Sequence, residues 1–157
     1  MAKTIELHKG QGDALWFLGC LYEMKATGEQ TGGSLSAAEV TVPAKSMGSP
    51  PHVHEMDEAA YILEGSMTYH IGDKTVDAAA GSFFFFPKGQ MEWFENTSDK
   101  PARMLIMYVP GGFERFFLEL AEPAKARTLP PPMQGPPDMA KLTAVAKKYG
   151  TELLPPK

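Results

Sequence analysis

Glycine and proline break the sequence between residues 14 and 109 into a series of short apolar segments. Several of these segments are rich in β-branched or aromatic residues, as in Val40-Thr41-Val42, and such residues favour extended strands. Many short strands separated by turns are typical of an all-β sandwich or barrel. The predicted strands cover residues 14–26 (one or two strands), 35–42, 59–63, 67–71, 75–77, 82–86, 91–95 and 102–109.

Four consecutive phenylalanines, Phe83 to Phe86, lie between Gly81 and Pro87. A strand that is apolar at every position is typical of one buried on both faces, because none of its positions has to meet water. We therefore expect the run to lie in the core, with at most one ring lining a cavity.

After Pro110 the apolar spacing becomes helical. A first helix is predicted to place four apolar side chains on one face: Phe113, Phe116, Phe117 and Leu120. A second is predicted to begin after Asp138 and to end at Gly150. We expect one domain spanning residues 1–157, with a barrel core at about 14–109 and a helical extension at about 110–157.

The composition excludes several classes of partner. The chain has 15 Lys and Arg against 19 Asp and Glu, a net charge of −4, and no long basic run, so we expect neither nucleic acid nor a membrane as a partner. The first residues lack the apolar region of a signal peptide, which predicts a cytoplasmic protein. Cys20 is the only cysteine, so no internal disulfide can form, and its apolar neighbours favour a buried structural thiol.

The sequence His52-Val53-His54, followed by Glu58, is the strongest chemical signal in the chain. Residues two apart on a strand point to the same face, so both imidazoles would project side by side. The Glu58 carboxylate could reach the same space once the next strand begins. Such a set suits a divalent cation, and a polar cluster without metal is the alternative.

Two stretches resemble the cupin family. The first has the pattern of the first cupin motif: His52-x-His54-x3-Glu58-x6-Gly65. The second has the pattern of the second motif with one change, Glu92 in place of a histidine: Gly81-x5-Pro87-x-Gly89-x2-Glu92-x3-Asn96. Segments such as 25–33 and 110–114, and the proline-rich tail, look like those of bacterial single-domain cupins described as quercetin 2,3-dioxygenase-like.

The resemblance implies a cupin (jelly-roll) β-barrel with short C-terminal helices that binds one divalent metal ion. In the family, two histidines and a glutamate of the first motif and a histidine of the second bind the metal, which assigns His52, His54 and Glu58 as ligands. Glu92 would be the fourth ligand, and a second carboxylate would favour Mn or Fe over Cu, with Ni, Co and Zn also candidates.

The implied activity is a metal-dependent dioxygenase acting on a flavonol-like or other enolic or aromatic small molecule. Glu58 would be the catalytic base that takes the hydroxyl proton of the substrate, and quercetin would be the first substrate to test. The alternatives are a non-oxidative metal cupin, such as an isomerase or lyase, and a small-molecule binding or sensing module without catalysis.

The resemblance also implies a homodimer. The apolar segment from Leu15 to Leu18 and the helix from Phe113 to Leu120 are the surfaces expected to form it. His70 could face the cavity or the outside, and Tyr61 and Trp93 are expected to pack in the core or to contact an aromatic substrate. Four methionines are expected to fill the cavity: Met47, Met56, Met67 and Met91.

Overall fold

The computed structural model describes residues 1–155 and contains thirteen strands and two helices in that range. The helices are α1 (Glu114–Leu120) and α2 (Met139–Lys148). The strands are β1 (Ala14–Phe17), β2 (Cys20–Ala26), β3 (Ser36–Val42), β4 (Ser46–Met47), β5 (His52–His54), β6 (Asp57–Glu64), β7 (Ser66–Ile71), β8 (Lys74–Ala79), β9 (Phe83–Phe86), β10 (Glu92–Asn96), β11 (Ala102–Val109), β12 (Glu122–Pro123) and β13 (Thr151–Leu153).

The strands form two antiparallel sheets. The seven-stranded sheet has the order β12-β1-β2-β3-β11-β6-β9, and the other has the order β13-β5-β10-β7-β8, with β4 paired to β10. The inner faces of the two sheets pack together: the Tyr69 ring of β7 stacks on Phe84 and Phe86 of β9, and its hydroxyl donates to Met104 Sδ of β11. The predicted all-β class with short C-terminal helices is therefore confirmed.

The predicted burial of the phenylalanine run is wrong for two of its four residues. Phe84 and Phe86 face the core, whereas Phe83 and Phe85 are 59% and 57% exposed. The reason is that β9 is the last strand of its sheet and only its inner face is covered, by Tyr69 of the opposing sheet. Every second side chain of β9 therefore points to the outside.

The C-terminal segment closes one end of the barrel. Helix α1 packs Phe116 and Phe117 edge-on against the Phe17 ring, and Asp138 caps α2 by accepting from Lys141 N at 3.0 Å. Beyond α2 the chain returns to the sheet, because β13 pairs with β5. The segment predicted as a helical extension therefore also contributes two short strands.

Two glycines make this geometry possible. Gly150 has a φ of +74° where α2 turns into β13, a conformation that glycine adopts without strain. A Cβ on Gly48 would lie 2.0 Å from the Phe94 ring, so only glycine lets the chain before β5 lie against β10.

Neither helix of the described residues combines the length and the apolar character needed to span a bilayer.

Candidate metal centre

Two histidines and two glutamates meet inside the barrel. His52 and His54 lie on β5, Glu58 lies at the start of β6, and Glu92 begins β10, directly opposite His52 in register. One ligand atom from each residue lies within 4.8 Å of the others. The structure thus brings together the four residues singled out in the sequence, while their roles as metal ligands stay a prediction.

The hydrogen bonds of the two imidazoles fix which nitrogen faces the cluster. His52 Nδ1 donates to the Pro50 carbonyl at 2.8 Å, and His54 Nδ1 donates to the Met56 carbonyl at 2.6 Å. A carbonyl only accepts, so Nδ1 carries the hydrogen in both rings. In the neutral imidazole Nε2 then carries a free lone pair that can bind a metal. Histidine ligands in protein metal sites are commonly oriented in this way, by a hydrogen bond from the other ring nitrogen to a carbonyl.

Several polar atoms of the cluster lack a hydrogen-bond partner. Among the described residues, His54 Nε2 and both carboxylate oxygens of Glu92 are buried and make no aligned hydrogen bond, although charged groups of the cluster lie close to them. The 2.6 Å approach of His52 Nε2 to Glu92 Oε1 is close in distance but is not aligned as a hydrogen bond. Buried polar atoms without partners are rare and costly, and a shared cation would satisfy all of them.

The charge of the cluster also fits a divalent ion. With neutral imidazoles the two carboxylates bring a charge of −2 into a site where Glu58 and Glu92 are 3% and 0% exposed. An uncompensated buried charge is strongly unfavourable. A divalent cation neutralises this charge, and nitrogen and oxygen donors suit Mn²⁺, Fe²⁺ or Zn²⁺.

Without an ion the cluster has to hold protons instead. Burial alone lowers the pKa of His54, but the carboxylates of Glu58 and Glu92 outweigh it and raise the pKa to about 10. Burial raises the pKa of Glu58, and the like charge of Glu92 raises it further. Burial also disfavours the charged form of Glu92, but the two histidines lower its pKa to about 2.

A cavity of about 50 Å³ with a largely aromatic wall adjoins the cluster. His52 and Glu58 form part of its wall. Aromatic rings form much of the rest: Phe17, Tyr22, Phe94, Tyr108, Phe113, Phe116 and Phe117. The C-terminal segment completes the wall with Leu142 of α2 and with Thr151 and Leu153 of β13.

Several of these cavity residues carry no motif that marks them in the sequence. Tyr108 is directly opposite Glu58 in the β11–β6 register, and its ring lies edge-on to His54 with the centroids 6.5 Å apart. Thr151 is opposite His54 in the β13–β5 register, and its buried hydroxyl has no partner among residues 1–155. Both positions depend on strand pairing between distant parts of the chain.

Other candidates lie away from the site. His70 is on the outer face of its sheet, where Nε2 is 2.9 Å from Glu95 Oε1 and the ring stacks on Trp93 at 3.6 Å. Tyr61 is 41% exposed. His70 therefore takes the outward of its two predicted orientations. Contact of Tyr61 or Trp93 with a substrate in the cavity, and burial of Tyr61 in the core, are wrong, because each of these residues follows an inward-facing neighbour on its strand.

The methionines behave differently from the prediction too. Met67 is buried in the core, whereas Met47 is 55% exposed. No methionine lines the aromatic cavity, so the expected role of these side chains as cavity fillers is wrong.

Comparisons with known proteins support the fold. Residues 38–108 match the cupin domain family. The chain is 29% identical over 125 residues to quercetin 2,3-dioxygenase of Bacillus subtilis, a match that covers 79% of the chain and 36% of that enzyme. The chain thus spans about a third of the length of the curated relatives it matches.

Two solved structures share the architecture at low sequence identity. The polyketide cyclase RemF of Streptomyces resistomycificus aligns with a TM-score of 0.61 and 21% identity, over 68% of this chain and 80% of that one. A sugar phosphate isomerase of the cupin superfamily from Silicibacter pomeroyi aligns with a TM-score of 0.51 and 23% identity, over 58% and 59% of the two chains. With its two antiparallel sheets, its inward-facing His and Glu cluster and the family match at residues 38–108, this chain has the cupin fold.

Proposed function

We propose that this protein is a metal-dependent dioxygenase of a small enolic molecule. The observation that carries the proposal is the convergence of His52 and His54 Nε2 with two buried carboxylates beside an aromatic cavity. The similarity to a quercetin 2,3-dioxygenase supports it. His52, His54, Glu58 and Glu92 would hold one divalent ion, which when bound supplies Lewis-acid and O₂ redox chemistry.

Glu58 is the residue proposed to move a proton. It is the one carboxylate of the cluster that lines the cavity, and burial together with Glu92 raises its pKa. A carboxylate of raised pKa is a stronger base than an exposed one, so it can take the hydroxyl proton of an enol that enters the cavity. Its contact with His54, at 3.2 Å between Oε2 and Nε2, holds it in place.

The aromatic wall would exclude water and receive an apolar substrate. Tyr108 and Phe113 lie with ring centroids 4.7 Å apart, and Phe113 stacks on Phe116 at 5.0 Å. Packed rings leave little room for solvent and present apolar faces to a flat ligand. Exclusion of water from the cavity would also limit competing hydrolysis of a reactive substrate.

The cavity volume changes the order in which substrates are tested. At about 50 Å³ it is far smaller than the roughly 300 Å³ or more of a site for a drug-sized ligand. At this volume the cavity does not hold a flavonol, whereas a small 1,3-diketone or a catechol needs less room. We expect the small enols to be turned over in preference to quercetin.

A non-oxidative isomerase or lyase is the second candidate. The position of Glu58 favours this class, because its carboxyl group is buried, lines the cavity and has a raised pKa. Such a group can both take and return a proton, and this chemistry needs no O₂. Turnover of substrate without uptake of O₂ would identify this class.

The test is O₂ uptake by protein loaded separately with Mn²⁺, Fe²⁺, Co²⁺ or Ni²⁺ and given 1,3-diketones, catechols and quercetin. At least one combination should consume O₂, and Glu58→Gln should slow it by about 100-fold or more, the usual contribution of a general base. Glu95→Gln is the matched control, because Glu95 pairs with His70 on the outer face. Ligand binding without turnover would point to a binding or sensing module, and no uptake in any form would contradict the dioxygenase proposal.

A further inference from the structure

Thr151, the first residue of β13, has a buried hydroxyl group without a role in the proposed reaction. Its side chain is 5% exposed, and its Oγ1 atom makes no hydrogen bond within residues 1–155. Buried hydroxyl groups in native proteins nearly always have a partner, and a valine of the same shape would avoid the cost of burying one without it. The Oγ1 atom is therefore free to bind a ligand.

The strand register directs the Thr151 side chain into the aromatic cavity. Thr151 is opposite His54 and Leu153 is opposite His52, and directly opposed residues of an antiparallel pair project to the same face. Both histidines face the cluster inside the barrel, so Thr151 and Leu153 face inward as well. The cavity wall agrees with this, because it includes Thr151 and Leu153 but not the intervening Glu152, which is exposed.

Hydrogen bonds at both ends of β13 fix the position of Thr151. Glu55 N donates to the Gly150 carbonyl at 2.9 Å, and Leu154 N donates to the Pro51 carbonyl at 2.8 Å. These bonds continue the β13–β5 ladder on either side of the three paired residues, and threonine is β-branched, which suits a strand. The residue is thus held in place before a ligand arrives, so little conformational entropy is lost on binding.

The hydroxyl group of Thr151 complements the polar groups that the cluster brings to the cavity. His52 and Glu58 belong to the cluster, and the Oγ atom of Ser49 already accepts from Phe94 N at 3.2 Å. Most of the remaining wall is aromatic or aliphatic. An apolar cavity with a few placed polar groups is typical of small-molecule sites, in which those groups fix the orientation of the ligand. A ligand held at the cluster by one oxygen would therefore be oriented through a second oxygen at Thr151.

We infer that the Thr151 hydroxyl group donates a hydrogen bond to a second oxygen of a small ligand whose first oxygen lies at the metal cluster. The chemical class is the enolate of a 1,3-diketone, because its negative charge is shared by both oxygens and an anionic acceptor strengthens the hydrogen bond. Thr151 and His54 are opposed residues, and the Cβ atoms of such residues lie about 4.5–5.5 Å apart, so a small ligand can reach both groups. The choice of ligand rests on the proposed function, whereas the binding role of Thr151 does not require turnover.

The test is calorimetric binding of pentane-2,4-dione to the full-length protein loaded with Zn²⁺, an ion without redox chemistry, so that binding is measured without turnover. Thr151→Val, which keeps the shape of the side chain, should weaken binding about tenfold or more, as expected for one lost hydrogen bond to a charged group. Thr151→Ser retains the hydroxyl group and should bind more tightly than Thr151→Val. Thr143→Val, the same change at an exposed position of α2, is the matched control and should bind like wild type.

Any of three binding results would overturn the inference: wild type does not bind pentane-2,4-dione, Thr151→Val binds it as tightly as wild type, or Thr143→Val loses as much affinity. If Thr151→Val does not fold, Thr151→Ala takes its place in the comparison with Thr151→Ser.

Thermal unfolding of the metal-free protein gives a second measurement. Thr151→Val should be at least as stable as wild type, because the hydroxyl group has no partner in the fold, and a lower Tm would count against a ligand role. Uptake of O₂ is scored separately from binding. Binding that depends on Thr151 without any uptake of O₂ would contradict the dioxygenase proposal alone, whereas uptake of O₂ with equal affinities in wild type and Thr151→Val would contradict this inference alone.

Discussion

His52 and Glu92 are directly opposite each other on β5 and β10, and their Nε2 and Oε1 atoms lie 2.6 Å apart without forming an aligned hydrogen bond. The hydrogen bond from Nδ1 to the Pro50 carbonyl, at 2.8 Å, orients the ring so that Nε2 points toward Glu92. Both atoms point into the space between the four cluster residues. Substitution of residue 92 is therefore the most direct test of metal binding at this site.

Substitution of Glu92 should change metal binding in two directions. Glu92→Gln removes one charge and should weaken binding of Mn²⁺ by about 10-fold or more, whereas Glu92→His should shift preference toward Ni²⁺, Cu²⁺ or Zn²⁺. Titration with each ion, followed by elemental analysis, measures both effects. Glu95→Gln on the same strand is the control, and equal metal preferences in wild type and Glu92→His would argue against a ligand role.

Metal binding should release protons at neutral pH. In the metal-free protein the two carboxylates raise the pKa of His54 to about 10, so this imidazole is protonated at pH 7 and must lose a proton to bind an ion. The affinity of the protein for the metal ion should therefore rise with pH through neutrality and level off near pH 10. Calorimetry in buffers of different ionisation enthalpy counts the protons, and a binding heat that is independent of the buffer would refute this prediction.

The C-terminal wall of the cavity should matter for stability. Leu142 is 5% exposed, packs in the core and lines the cavity. Leu142→Ala should lower the free energy of unfolding by about 2–4 kcal/mol, since it removes buried methyl groups and leaves a void. Leu118→Ala, on exposed α1 surface, should change it by less than about 0.5 kcal/mol. Urea denaturation compares the two, and similar values would mean that α2 is only loosely attached.

The thiol of Cys20 should be inert in the folded protein. Its side chain is 0% exposed, and burial raises its pKa to about 12, so almost no thiolate exists at pH 8 and the group is shielded from reagents. A disulfide reagent should react only after addition of denaturant. Rapid labelling of native protein at pH 8 would contradict the burial of Cys20 in β2.

Local patterns in the sequence were sufficient for most of the long strands and for the choice of His52, His54 and Glu58, whereas Glu92 was singled out by the resemblance to the second cupin motif. Glycine and proline mark most strand ends, and the spacing of His52, His54 and Glu58 is short enough to interpret on one or two strands. The exposure of Phe83 and Phe85 could not be predicted in this way, because it depends on β9 being the last strand of its sheet. That position follows from sheet order, which no local pattern contains.

Several residues of the cavity wall could not be predicted from the sequence for a related reason. Tyr108 lies beside Glu58 through the β11–β6 register, and Thr151 lies beside His54 through β13. The sequence around Thr151 indicated only the end of a helix at Gly150, and nothing in a three-residue strand signals which edge it will join. Pairing over long separations is decided by the packing of the whole barrel.

The pairing of β13 with β5 also has a consequence for biosynthesis. Residues 151–153 hydrogen-bond to residues 52–54, so a ribosome makes the histidine strand long before the strand that shields it. During that interval a nascent barrel would present His52 and His54 to solvent, where cations can enter without passing the aromatic wall. Loop closure over this separation is slow compared with local strand pairing. For the metal site proposed here, this order of synthesis would allow an ion to reach His52 and His54 before β13 pairs with β5.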